Sequence, residues 1–231
     1  MTVQSIVRAA VLASAIALAG CAHSPPTPPP PPKLYEVKRQ LAEYVSSRRY
    51  EADLAAVAAE AAADLERRAK EGGRLAIVFD VDETLLSNIR WLELNDWGVI
   101  MKGATNFVSG PCGLLEWVQV ARSRPIQPTL ALARRARELG VAVFLITSRP
   151  ESTREATEKN LRAAGCEWSG LTLKPPGLKV HSEAEYKAPA RERITREGYR
   201  ILFNVGDQES DMAGGFAERT FKLPNPFYFT P

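Results

Sequence analysis

Apolar residues at Leu34, Val37, Leu41, Tyr44 and Val45 recur three to four positions apart, the spacing of one helical face. A second helix is expected over residues 52–70, along an alanine-rich stretch that Gly72-Gly73 brings to a stop. The period then changes. Leu75-Ala76-Ile77-Val78-Phe79 is a short unbroken apolar run, as in a strand buried on both faces, and Asp80 follows at its carboxyl end. The same succession returns twice. A helix over 129–139, stopped by Gly140, leads into a strand over 141–146 that ends at Thr147. After a helix over 152–164, another over 188–197 leads into a strand over 201–205, which ends at Gly206-Asp207. Strands alternating with helices predict an α/β fold: a doubly wound, mainly parallel sheet with right-handed crossovers, preceded by a helical extension. Ligands bind beyond the carboxyl ends of the strands in such sheets, so the three polar strand ends are expected at one edge.

The segment before the first helix follows other rules. Arg8 precedes an apolar run over 9–19, and the run ends in Leu18-Ala19-Gly20-Cys21. A weakly positive start, a short apolar centre and small closing residues predict a secretory signal over 1–20, too short to span a bilayer comfortably. Prolines fill 25–32 with only Thr27 interposed, so residues 21–33 are expected to form an extended, semi-stiff spacer. Residues 34–231 are left as the folded domain. Lys+Arg 30 against Asp+Glu 27 gives +3, too mild a charge for a nucleic-acid polymer as partner. With three cysteines in all, the core must come from packing. Cys112 and Cys166 can be bridged in an oxidising compartment, or can equally be two separate buried residues.

Chemistry concentrates at the strand ends. Asp80 and Asp82, at i and i+2, can point into one crevice, where one attacks and the other handles protons. Thr147-Ser148-Arg149 offers a hydroxyl and backbone N–H groups that can hold a phosphoryl oxygen. Asp207 and Asp211, four apart after a buried strand, can join Asp80 in binding a hard cation through oxygen, with magnesium favoured beside phosphate. Lys187, ahead of Lys174 and Lys179, is placed to pair with Asp80 and ease the approach of one anion to another. Each piece alone has a plainer reading: a helix cap, a hydroxyl turn, a solvated acidic turn, a solvating lysine.

Taken in this order, the pieces resemble the haloacid dehalogenase (HAD) superfamily, whose fold is Rossmann-like. The resemblance implies an aspartyl-phosphate on Asp80, Asp82 as acid and base, and Thr147 and Lys187 as catalytic partners. It also implies Mg²⁺ held by Asp80, the Asp82 backbone carbonyl, Asp207 and Asp211. The stretches Phe79-Asp80-Val81-Asp82-Glu83-Thr84-Leu85-Leu86-Ser87-Asn88, Tyr186-Lys187, 204–211 and 221–226 resemble subfamily IIIB. That subfamily holds plant acid phosphatases, vegetative storage proteins and bacterial class C lipoprotein acid phosphatases. Thr147 and Ser148 stand where class C members commonly carry Ser and Asn. An acid at Asp82 sets the chain apart from dehalogenases. The small residues before Cys21 resemble the bacterial lipobox. This implies a lipidated Cys21 as membrane anchor, and Ala22 after it implies outer-membrane sorting, with the domain facing periplasm or cell surface.

The expected function is that of an exported, Mg²⁺-dependent acid phosphatase acting on small phosphomonoesters, nucleoside 5'-monophosphates included. A catalytically idle surface lipoprotein with a binding or storage role is the alternative. The insertion over about 88–128 suits a small cap over the crevice. Its rings (Trp91, Trp97, Phe107 and Trp117) are expected first to form the apolar contact between cap and core; for stacking on a base or aryl group, Trp91 and Trp97 are the better candidates. Arg149 joins them as an expected substrate-binding residue.

Overall fold

A computed structural model of the chain describes residues 30–101, 103 and 112–230. The expected signal segment, Cys21, most of the proline spacer and Phe107 lie outside the described residues. The compact unit spans Lys33–Pro231. Among the described residues no helix is long and apolar enough to cross a membrane.

Two helices open the unit, α1 (Leu34–Ser46) and α2 (Arg49–Arg68), separated at Arg48, whose backbone is left-handed at φ 63°. Leu54, Ala58, Ala61 and Leu65 of α2 are buried at intervals of four, three and four, the stripe a helix lays on a core. Then follow β1 (Leu75–Phe79), β2 (Leu86–Ser87), α3 (Ile89–Leu94), α4 (Leu114–Val120), β3 (Arg124–Pro125) and α5 (Gln127–Glu138). The rest comprises β4 (Ala142–Pro150), α6 (Arg154–Ala163), β5 (Gly170–Lys174), α7 (Ala184–Arg196), β6 (Arg200–Gly206), α8 (Glu209–Met212) and β7 (Ala217–Lys222).

The main sheet runs β5-β4-β1-β6-β7, with all neighbouring pairs parallel. Side chains alternate across it. Ile77 and Phe79 pack with Leu54, Ala61 and Leu65 of α2 and Leu130, Ala133 and Ala136 of α5. Ala76 and Val78 face the other way, with Tyr186, Ala190 and Ile194 of α7. Because helices cover both faces, β1 reads as continuous apolar sequence. The chain leaves β1 for β4 on one side and later returns to β6 on the other, so the strand order reverses at β1 and opens a crevice at its carboxyl end. Register does the rest. Phe79 lies beside Leu145 and Val205, so Asp80 emerges level with the ends of the Thr147 and Asp207 strands.

Two expectations shift. The helix expected from residue 188 begins at Ala184, and Pro189 lies inside it; a proline suits the first turn of a helix, which drew the expected start too late. β7 has the polar face of an edge strand and offers no apolar run to read. The antiparallel ribbon of β2 and β3 closes the base of the insertion, which carries α3 and α4.

Candidate active site

Asp80 is the first residue after β1, and its backbone N–H still donates to Val205 O at 2.9 Å. The side chain is buried at 7% exposure yet borders the crevice. Its Oδ1 accepts from Lys187 Nζ at 2.7 Å, and among the described residues nothing donates to its other oxygen. Lys187, one turn into α7, also donates to Asp211 Oδ1. Ligand oxygens of Asp80, Asp207 and Asp211 all lie within 4.8 Å of one another, and all three residues are buried. Three carboxylates against one ammonium leave negative charge unmatched. Burial first, and then the Asp211, Asp207 and Asp82 charges, push Asp80 well above the usual carboxylate range against the pull of Lys187. Burial and Asp211 likewise push Asp207 up to about 6. Burial works against charge on Lys187, but Asp80 and Asp211 outweigh it and raise its affinity for the proton.

Gly206 makes this convergence possible. A Cβ there would collide with the Asp211 side chain, so only glycine lets the acidic turn fold back against the strand. Asp211 Oδ2 accepts from Gln208 N at 2.9 Å, which fixes the turn. Asp207 Oδ2 accepts from Gln208 Nε2 at 2.5 Å and from Asn225 Nδ2 at 2.6 Å, and Thr84 Oγ1 reaches Oδ1 at 3.4 Å. This donor set of hard oxygens, anionic and buried, fits a divalent cation of the magnesium type.

Asp82 lies apart from that cluster. Arg149, at the end of β4, grips its carboxylate with Nε at 2.9 Å from Oδ2 and Nη2 at 2.7 Å from Oδ1. Asn88 Nδ2 adds a bond to Oδ1 at 2.6 Å. Burial raises the Asp82 carboxyl, but the Arg149 charge and these hydrogen bonds outweigh it and hold the group below the usual carboxylate range. Its neighbour Glu83 is pushed up to about 8 by burial and by Asp82 and Asp207. It accepts from Asn88 N at 2.6 Å and from the Tyr228 hydroxyl.

The structure brings Asp80, Asp82, Arg149, Lys187 and Asp207 to one crevice of about 460 Å³. Thr147 is fully buried beside it, its hydroxyl accepting from Arg149 N at 3.2 Å. The three residues expected to bind substrate are placed differently from one another. Trp97 does not line the crevice; its ring stacks on Phe227 at 5.7 Å, where apolar burial is to be had. Trp91 borders the crevice but is 1% exposed, with its indole N–H donated to Cys112 O at 2.9 Å, so it presents no free face. The Arg149 guanidinium is committed to Asp82 and Thr157. Cys112 and Cys166 are both buried and free.

Sequence reasoning missed the carboxy-terminal contribution. Tyr228, Phe229 and Thr230 line the crevice, and Asn225 orients Asp207. Asn225 lay in a stretch already noted for its resemblance; the contact across the fold leaves no local pattern to read.

Residues 32–231 match the family model described as HAD superfamily, subfamily IIIB (acid phosphatase). The chain is 35% identical to vegetative storage protein 1 of Arabidopsis thaliana over 67% of its own length and 55% of that protein. It is 35% identical to acid phosphatase 1 of Solanum lycopersicum, over 69% of its own length and 60% of that protein. The chain therefore spans little more than half the length of these relatives. Its fold matches that of the class C acid phosphatase from Bacillus anthracis with a TM-score of 0.66 at 20% identity, covering 84% of this chain and 86% of that one.

Proposed function

Starting from the fact that the chain belongs to the acid phosphatase subfamily IIIB of the HAD superfamily, we propose that it hydrolyses small phosphomonoesters through a phosphoryl group carried on Asp80. The observation that supports this most strongly is the Asp80 carboxylate itself. It stands at the open end of β1, steadied through one oxygen by Lys187 at 2.7 Å, with the other oxygen free of donors among the described residues.

In this reading the free oxygen of Asp80 attacks phosphorus while Lys187 stabilises the charge on the phosphoryl oxygens and on Asp80. Asp82 gives the leaving oxygen its proton, then takes one from the water that cleaves the aspartyl-phosphate. Because Arg149 and Asn88 hold Asp82 ionised, its protonated fraction grows only as the pH falls, the direction expected of an acid phosphatase. Thr147 shapes the phosphoryl pocket at the end of β4. Asp80, the Asp82 backbone carbonyl, Asp207 and Asp211 would hold Mg²⁺. The cation would neutralise the phosphoryl group and the crowded carboxylates.

The crevice wall of Val99, Met101, Leu114, Leu115, Val118 and Phe229 suits an apolar or aromatic leaving group, so aryl phosphates and nucleoside 5'-monophosphates are the first substrates to try. The names of storage relatives favour an idle protein; the complete set of Asp80, Asp82, Lys187 and Asp207 opposes that reading. Residues 1–33 support export and an outer-membrane anchor through Cys21, and Cys21→Ser should release the protein from the membrane fraction. The enzymatic reading is tested by assaying a phosphomonoester panel with wild type and Asp80→Asn, with and without chelator. Both the substitution and chelation should abolish turnover; activity surviving Asp80→Asn rejects the reading.

A further inference from the structure

Asn88 has so far served only as a hydrogen-bond donor to Asp82 and Glu83, yet both ends of its side-chain amide are bonded. It is fully buried at the junction of β2 and α3 and does not border the crevice. Its amide bonds at both ends. Nδ2 donates to Asp82 Oδ1 at 2.6 Å and to Glu83 Oε2 at 3.3 Å. Oδ1 accepts from Trp117 Nε1 at 3.1 Å and from Ser123 Oγ at 2.8 Å. An indole N–H can only donate, so it dictates which end of the amide carries the oxygen. The NH₂ end must then face the two carboxylates.

The far side of this network is itself anchored. Trp117 belongs to α4 of the insertion, and its N–H is shared with Ser123 Oγ at 3.0 Å. Asn160 of α6 accepts from Ser123 N and donates to Ser123 O, both at 2.9 Å. A continuous polar path therefore runs from the insertion and α6, through one amide, to the carboxylate that moves protons. No other common side chain replaces it. Aspartate would set a third charge beside two carboxylates; alanine would leave a buried indole N–H with one partner fewer and Asp82 without one of its donors.

We propose that Asn88 is a positioning residue that aims Asp82 at the leaving oxygen and couples that aim to the placement of α4. The inference rests on Asp82 acting as the proton donor, and the test separates the two claims. The parameter to compare is kcat/KM, which reports steps up to departure of the leaving group and ignores breakdown of the shared aspartyl-phosphate. Two substrates suffice: 4-nitrophenyl phosphate, whose leaving anion needs little protonation, and ethyl phosphate, whose alkoxide needs it fully.

Asp82→Asn should depress the ethyl ester about 100-fold more than the aryl ester, the scale of general acid catalysis. Asn88→Ala should show the same bias at about 10-fold, and Trp117→Phe, which keeps the ring but removes the N–H, at about 3-fold. Equal losses on both substrates in Asn88→Ala would mean a structural role only and overturn the proposal. If Asn88→Ala does not fold, Trp117→Phe decides: a wild-type substrate ratio overturns it. Bias in Asp82→Asn without bias in either network variant leaves the proton donor standing and removes Asn88; no bias in Asp82→Asn removes both.

Discussion

Asp80 and Asp82 are separated by one residue, and the two sides of the crevice they serve are built on opposite electrostatic plans. On the Asp80 side, three buried carboxylates cluster beside one lysine that bonds Asp80 and Asp211, and burial and mutual repulsion drive Asp80 and Asp207 upward. On the Asp82 side, one carboxylate meets a two-pronged guanidinium and an amide, and its proton affinity falls. One side is incomplete without a further positive charge, whereas the other is already balanced. In the absence of a cation these shifts run opposite to the proposed roles, since a nucleophile must be ionised and a proton donor protonated; a cation beside Asp80 would restore its charge. The imbalance makes the Asp80 side the one a divalent cation would complete.

The largest effect should come from deepening the imbalance on the first side. Asp207→Asn removes a proposed cation ligand, so we expect turnover to fall by about 1,000-fold, in line with losses of catalytic groups that act as a unit. A readout independent of activity accompanies it. Saturating Mg²⁺ should raise the melting temperature of wild type by about 5 °C or more, since ligand at a hundred times its Kd adds about 2.7 kcal/mol. Asp207→Asn should lose that shift. A full shift in the variant would place the cation elsewhere.

Breaking the balanced side should act more on stability. Arg149→Met leaves the part-buried Asp82 carboxylate with Asn88 as its remaining side-chain donor, and breaking a buried pair costs about 3 kcal/mol. Adding Asp82→Asn should recover part of this, because the orphaned charge is gone. Strict additivity in chemical denaturation of the single and double variants would contradict the pairing.

The smallest effect is a pH slope. Asp207 and Glu83 are raised to about 6 and about 8. For carboxyls raised on folding, the associated stability is fully present below their unfolded values near about 4 and is lost as pH rises through the folded values. In chelator, the melting temperature should therefore decline between about pH 5 and about pH 9. Mg²⁺ should blunt the lower part of the decline and Glu83→Gln the upper part; a rise with pH would contradict both assignments.

The strand that carries Asp80 and its neighbours were legible because burial on two faces writes unbroken apolar runs, and because Asp80, Thr147 and Asp207 sit where those runs end. Lys187 was legible as a lone lysine near the expected helix start. What escaped depends on contacts across the fold. Nothing local shows that Phe227 takes the face of Trp97, that Arg149 turns to Asp82, or that Asn225 reaches Asp207. Aromatic residues in an insertion satisfy the core and the crevice equally well by composition, and here the core won.

The central claim is that Asp80 carries the phosphoryl group. Acid-quenched turnover followed by mass spectrometry of the peptide containing Asp80 tests it directly. The account predicts one phosphoryl group on Asp80 during turnover in wild type and none in Asp80→Asn; a phosphoryl group on a different residue, or turnover undiminished in Asp80→Asn, would contradict it.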